Sequence, residues 1–346
     1  MKRYVVACLL GTVSLAAIAA PAPTTTAANW HVLQRWQIGG DGGWDYLAFD
    51  PAAKHLYVSR SDRVVVMDVG TGKQIGEVDG LSGVHGIAIA NDLHRGFISN
   101  GRANTVTVFD PATLKTEQTI AVKGENPDAI LYDPYSKRVF TFNGHSKDAS
   151  VIDATSGKLL GTIALPGKPE FAVSDGQGHV YDNIEDKGEL VEIDPKAMKV
   201  THTWELKNCE DPSGLAMDIA HRRLFSVCQN KNMAVTDADT GKPVASVPIG
   251  DGPDAAAFDP QRQLAFSSNG ESGTLTVVHE DNADKYSVLA NVPTQKSART
   301  MALQPNGDIY LSAAQFGARP KPSADNPRGR PPLVAGSFTI LVVGSK

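Results

Sequence analysis

Six residues of this chain recur at intervals of about 40 positions or its double, each just ahead of a short run of small apolar residues. They are Asp45, His85, Asp128, Glu170, Asp254 and Arg299, with Ser213 filling the longer gap. Equivalent places in a repeat bring such residues onto one ring. Carboxylates that converge there raise one another's pKa or recruit a cation. His85 between Asp45 and Asp128 offers a mixed nitrogen and oxygen set for a divalent metal with water, and His145, on an outer turn, is placed to reach in. The competing reading is that these groups cap strands, pair with Arg299 and order water. A second set lies in turns further out: Arg60, Arg102, Lys147, Arg319 and Arg328, with Lys187 and Lys231 in equivalent turns. A basic rim of this kind grips phosphate-bearing ligands, or a single nucleic-acid strand stacked on aromatics such as Trp44, Phe142 and Phe316. Its competing reading is a solvated scatter of charges.

Other chemistry is harder to place. There is no Gly-x-Ser-x-Gly, no His-Glu-x-x-His, no phosphate-binding glycine loop and no Cys-x-x-Cys-His. The regular acids Asp68, Asp110, Asp153, Asp194 and Asp237 each end an apolar run at a turn, where aspartate accepts backbone hydrogen bonds. They are assigned to structure.

The elements that must position the ring are strands. Asn100 to Lys115, NGRANTVTVFDPATLK, sets the pattern of polar turn, alternating strand, aspartate and turn. Copies run from Val64, Ala149, Leu190 and Met233, and degraded ones from Leu275 and Phe338. Seven units spaced about 40 to 45 residues apart have the period of a four-stranded propeller blade. Helical periodicity is nearly absent. The expected fold is all-β, a seven-bladed β-propeller of four-stranded antiparallel blades. Trp30 to Gly39 has no blade of its own, so this N-terminal strand is expected to complete the last blade and remove the open sheet edges.

The first residues read as an export signal, with Lys2 and Arg3 ahead of an apolar run from Tyr4 to Ala20. We divide the chain into 1–28, signal peptide and linker, and 29–346, the propeller. No membrane insertion is expected after cleavage, and the mature chain is expected to be a periplasmic or secreted monomer. Its formal charge of −5 argues against bulk nucleic-acid binding. Cys209 and Cys228, the two cysteines beyond the signal, fall in loops of one face, and an oxidising compartment favours their pairing. Residues 316–337, rich in proline and glycine, form a surface loop between the second and third strands of the last blade.

The units such as Asn104 to Asp110, together with the Gly-x-x-Pro openings at Gly124, Gly167 and Gly250, resemble those of YVTN-type β-propellers, and more closely of YncE-like periplasmic propeller proteins. The resemblance covers nearly all of the mature chain. It implies a propeller without a catalytic motif to carry over, and a link to single-stranded DNA. The expected function is recognition of a small-molecule or macromolecular partner at the loop face around the channel mouth, with no required cofactor. Catalysis is not expected. The alternatives are a metal-assisted lyase or hydrolase using His85 and the ring carboxylates, and a protein-interaction scaffold.

Overall fold

In a computed structural model the chain forms seven four-stranded antiparallel sheets arranged as blades. The structure describes Met1, residues 29–322, Gly329 and residues 331–345; the signal segment and Arg328 lie outside the described residues. In six blades the strands follow chain order, as in Leu47–Asp50, His55–Arg60, Arg63–Asp68 and Lys73–Val78. The seventh is built from both ends of the chain. Met301–Leu303 pairs with Ile309–Ala313, that strand with Thr339–Ser345, and the last with Trp30–Gln37, as the sequence predicts. No helix among the described residues is long and apolar enough to cross a membrane.

The alternation within each third strand explains the packing. Val106 and Val108 face one neighbouring blade and Val64 and Val66 another, all fully buried. Apolar seams of this kind run between blades around the ring, each sheet burying one face against each neighbour. The regular aspartates do what the turns require. Asp68, Asp153 and Asp237 each accept the backbone N–H three residues on, at 2.8, 2.7 and 2.9 Å. Cys209 and Cys228 form a disulfide that ties the loop leading into the fifth blade to the end of that blade's second strand.

The 316–337 segment leaves the last blade between its second and third strands. An isolated bridge joins Phe316 to Leu333, and the Gly317 N–H donates to the Pro332 carbonyl at 2.8 Å. Arg319 is exposed at its outer part.

Candidate functional site

The loops leading into the first strands meet on one face, and three neighbouring blades deliver Asp45, His85 and Asp128 together. His85 Nδ1 lies 2.5 Å from Asp45 Oδ2 and 3.3 Å from Asp128 Oδ1. Two glycines make the space. A Cβ on Gly101 would lie 2.6 Å from His85 Nε2, and one on Gly83, at φ +69°, would lie 2.8 Å from the Arg102 backbone nitrogen. On the other side Arg299 Nη1 reaches Asp254 Oδ2 at 3.2 Å, and its Nη2 donates to the Trp44 carbonyl at 3.1 Å. Ser213, the neutral member, donates to the Pro253 carbonyl of the next blade at 3.0 Å.

Two residues essential to this arrangement escape a reading of spacing. Lys168 donates to Glu170 at 2.9 Å and also pairs with Glu185. Tyr46, from the first blade, crosses the axis to the fourth. Its hydroxyl donates to the Glu170 carbonyl at 3.2 Å and its ring packs on Phe171 with centroids 5.4 Å apart. The mouth therefore has a floor. The sequence signal for Tyr46 is its place one residue after Asp45; for Lys168 it is the position before Pro169 that Asn126 holds before Pro127.

Electrostatics follow from convergence. Burial, then Asp128, Glu170, Asp45 and Asp254, hold the Tyr46 phenol well above its ordinary range, so all four carboxylates act on one point. Burial and Asp45 push Asp128 up to about 7, and burial and Asp128 push Glu170 up to about 8. Burial also raises Asp254, with Arg299 opposing. Burial alone would lower His85, but its bond to Asp45 and the field of Asp128 outweigh that, so the imidazolium is favoured. Beneath Glu170 lies Asp182, fully buried, with no well-formed partner for either oxygen. Burial, then Glu170, holds it far above the carboxylate range; the Glu170 N–H opposes this only in part.

These shifts fix a pH dependence. A carboxyl whose folded pKa is raised favours folding while protonated. That contribution is complete below the unfolded value near 4, and is lost as pH rises through the folded values of about 7 and 8. Stability should therefore decline from pH 5 to pH 8.5. Asp128 and Glu170 each keep 19% of the side chain exposed, so channel water softens the desolvation. The Asp128 share should be on the order of 2 kcal/mol. Thermal melts of Asp128→Asn across pH 5–9 should show a flatter profile than the parent; an identical slope would refute the assignment.

The cavity at the mouth has a volume of about 680 Å³ and is lined by Trp44, Asp45, His85, Arg102, Glu125 and His145 among others. His145 and Arg102, the latter placed on the outer rim by the sequence, thus line the same cavity as Asp45 and His85. Beside it lies an apolar groove of Trp44, Phe316, Pro331 and Leu333. The basic rim is reduced. Arg60 is not on it: the residue is fully buried and bonded to backbone carbonyls of Gly39 to Gly43, because it holds the strand position that Asn100, Asn143 and Asn269 hold in other blades. Lys147 pairs with Asp186 at 2.6 Å and Lys231 with Asp251 at 2.8 Å. Phe142 is buried in the core and offers no stacking surface.

No protein-family model matches the chain, and no curated protein matches it. Solved structures do. The chain is similar to a chain of Kuenenia stuttgartiensis hydrazine synthase, at 17% identity and a TM-score of 0.68, over 86% of this chain and 97% of that one. A chain of the mitotic checkpoint complex matches at 14% identity and a TM-score of 0.73, over 97% and 98%. The RRP9 WD40 repeats match at 10% identity and a TM-score of 0.73, over 92% and 98%. At these identities the likeness establishes the propeller fold.

Proposed function

We propose that the protein is an exported binding propeller that recognises a cationic ligand in the acidic mouth of its channel. One observation carries this reading: four carboxylates from four blades surround one phenol, and two of them hold protons far more tightly than free acids. Resident cations do not meet that surplus of negative charge. A ligand ammonium would take the place of the proton on Asp128, as its charge-assisted partner beside Asp45. The groove of Trp44, Phe316 and Leu333 next to the cavity suits an apolar arm on the same molecule. Export and a periplasmic setting rest on the first residues and on the resemblance to YVTN-type propellers. Single-stranded nucleic acid, which that resemblance implies, finds fewer free rim cations than the sequence promised, since Arg60, Lys147 and Lys231 are engaged.

The test is calorimetric titration of the mature protein with benzylamine and spermidine, beside an oligothymidine strand. An amine should bind the parent and bind Asp128→Ala about 10 to 100-fold more weakly, the worth of one charge-assisted hydrogen bond. Equal affinity in the variant, or binding of the oligonucleotide alone, would overturn the reading. A divalent ion is the second reading, favoured because Asp45, His85 and Asp128 offer ligand atoms within 4.8 Å of one another. Native mass spectrometry without chelator separates the two. An ion mass present in the parent and lost in His85→Ala would favour the metal and, with it, lyase or hydrolase chemistry. A bare chain that captures a protein partner would favour the scaffold.

A further inference from the structure

On the face opposite the channel mouth, two departures from the repeat meet. The first is Glu280. In other blades the residue after the third-strand aspartate is Val69, Pro111, Ala154, Pro195 or Ala238. His279 pairs with Leu264 as Asp153 pairs with Arg138, and the Glu280 N–H donates to Gln263 as that of Ala154 does to Lys137. Glu280 therefore sits in register with Ala154 and Ala238, and like them it is fully buried. The second departure is His221. Turns after the first strand begin with Asp50, Asp133, Asp218 and Asp259, but three residues on the other blades carry Ala53, Ser136 and Arg262.

The fifth blade's turn and the sixth blade's glutamate face each other. His221 Nδ1 lies 2.7 Å from Asp218 Oδ2 and 3.1 Å from Glu280 Oε1. Asp218 keeps 4% of its side chain exposed, Glu280 none, and His221 38%, so the cluster is closed on the acid side and open on the imidazole side. Glu280 Oε2 is buried without a hydrogen-bond partner. Nearby donors are spoken for: Arg223 reaches Asp237 Oδ2 at 2.7 Å and Asp284 Oδ1 at 3.1 Å, and the Tyr286 hydroxyl donates to the Ala283 carbonyl. Two buried carboxylates thus share one imidazole, and one oxygen has nothing to bind. A buried acceptor left without a partner is destabilising unless a proton or a cation meets it.

We propose that Asp218, His221 and Glu280 form a binding site for one divalent transition-metal ion, zinc foremost, between the fifth and sixth blades. One imidazole nitrogen and two carboxylates form a mixed donor set suited to such ions. Tetrahedral zinc with bonds of about 2.0–2.1 Å keeps its ligand atoms roughly 3.3 Å apart. The His221 to Glu280 separation of 3.1 Å is close to that, and the His221 to Asp218 separation of 2.7 Å would have to widen by a small shift of the half-exposed ring. The three groups offer ligand atoms within 4.8 Å of one another. The exposed side of the ring leaves a fourth position for water. This site is independent of the channel mouth.

The experiment uses His85→Ala as the parent, so that the mouth cluster does not contribute. The mature protein is stripped with chelator, titrated with zinc chloride by calorimetry and examined by native mass spectrometry. One zinc per chain is expected. Glu280→Ala, which restores the residue the third and fifth blades carry, should weaken binding by about 100-fold or more. His221→Gln, at a half-exposed position, should do the same and keeps the test alive if the glutamate variant misfolds. Zinc should raise the Tm of the parent and not of either variant. No zinc bound by the parent, or unchanged affinity in the variants, would overturn the proposal and leave a shared proton in its place.

Discussion

Replacing Arg60 with methionine should lower the stability of the propeller by about 3 kcal/mol or more. The guanidinium is fully buried, donates to Gly39 at 2.8 Å, Asp41 at 2.9 Å and Gly42 at 3.1 Å, and lies 4.0 Å above the Phe338 ring. Burial, then the nearby Arg63, pulls its pKa down to about 10, so it stays charged at neutral pH. Methionine keeps much of the volume and removes every donor. The carbonyls of a tight, glycine-rich loop then lose their common partner, and that loop carries Trp44 and Asp45 into the mouth. With about 2.1 cal/mol/K of unfolding entropy per residue, the loss corresponds to a fall of roughly 5 °C in Tm. Binding at the mouth should weaken as well. A variant that melts with the parent would show that the buried guanidinium is replaceable by packing alone.

The second large effect should come from the disulfide. Cys209 and Cys228 are 19 positions apart, and closing a loop of that length removes about 3 kcal/mol of conformational freedom from the unfolded chain. The paired Cys209→Ser, Cys228→Ser variant should melt roughly 5 °C below the oxidised parent. Dithiothreitol should bring the parent down to the variant and leave the variant unmoved. Reductant without effect on the parent would mean that the bridge does not form.

Much of this fold was legible because the repeat carries its own register. The strand Thr105 to Phe109 and its copies locate every blade, and the unpaired run from Trp30 demands a partner that only the last blade can give. Ring residues were legible for the same reason: Asp45, His85 and Asp128 occupy equivalent positions on adjacent blades, so the fold brings them within bonding distance. Register failed where the direction of a side chain decides the outcome. Arg60 ends a second strand, one step short of the turn, and its neighbours in the repeat point inward. Nothing in the spacing reveals that Tyr46 reaches across the axis, because no local pattern encodes contact between blades three apart. Glu280 and His221 were visible as departures only once the ladders showed which residues they replace.

The pairing of Trp30–Gln37 with Thr339–Ser345 has a kinetic consequence. Trp30 contacts Ser345 across nearly the whole length of the sequence, so the ring cannot lock until its final strand is available. Loop-closure entropy grows only slowly with length, but a contact of such separation forms late in any search. The first strand must therefore wait, unpaired, while six blades assemble from local hairpins. Until then the opening between the sixth blade's neighbour and the first is an exposed pair of sheet edges, the point at which two half-made rings would exchange strands and at which a chaperone would find its grip.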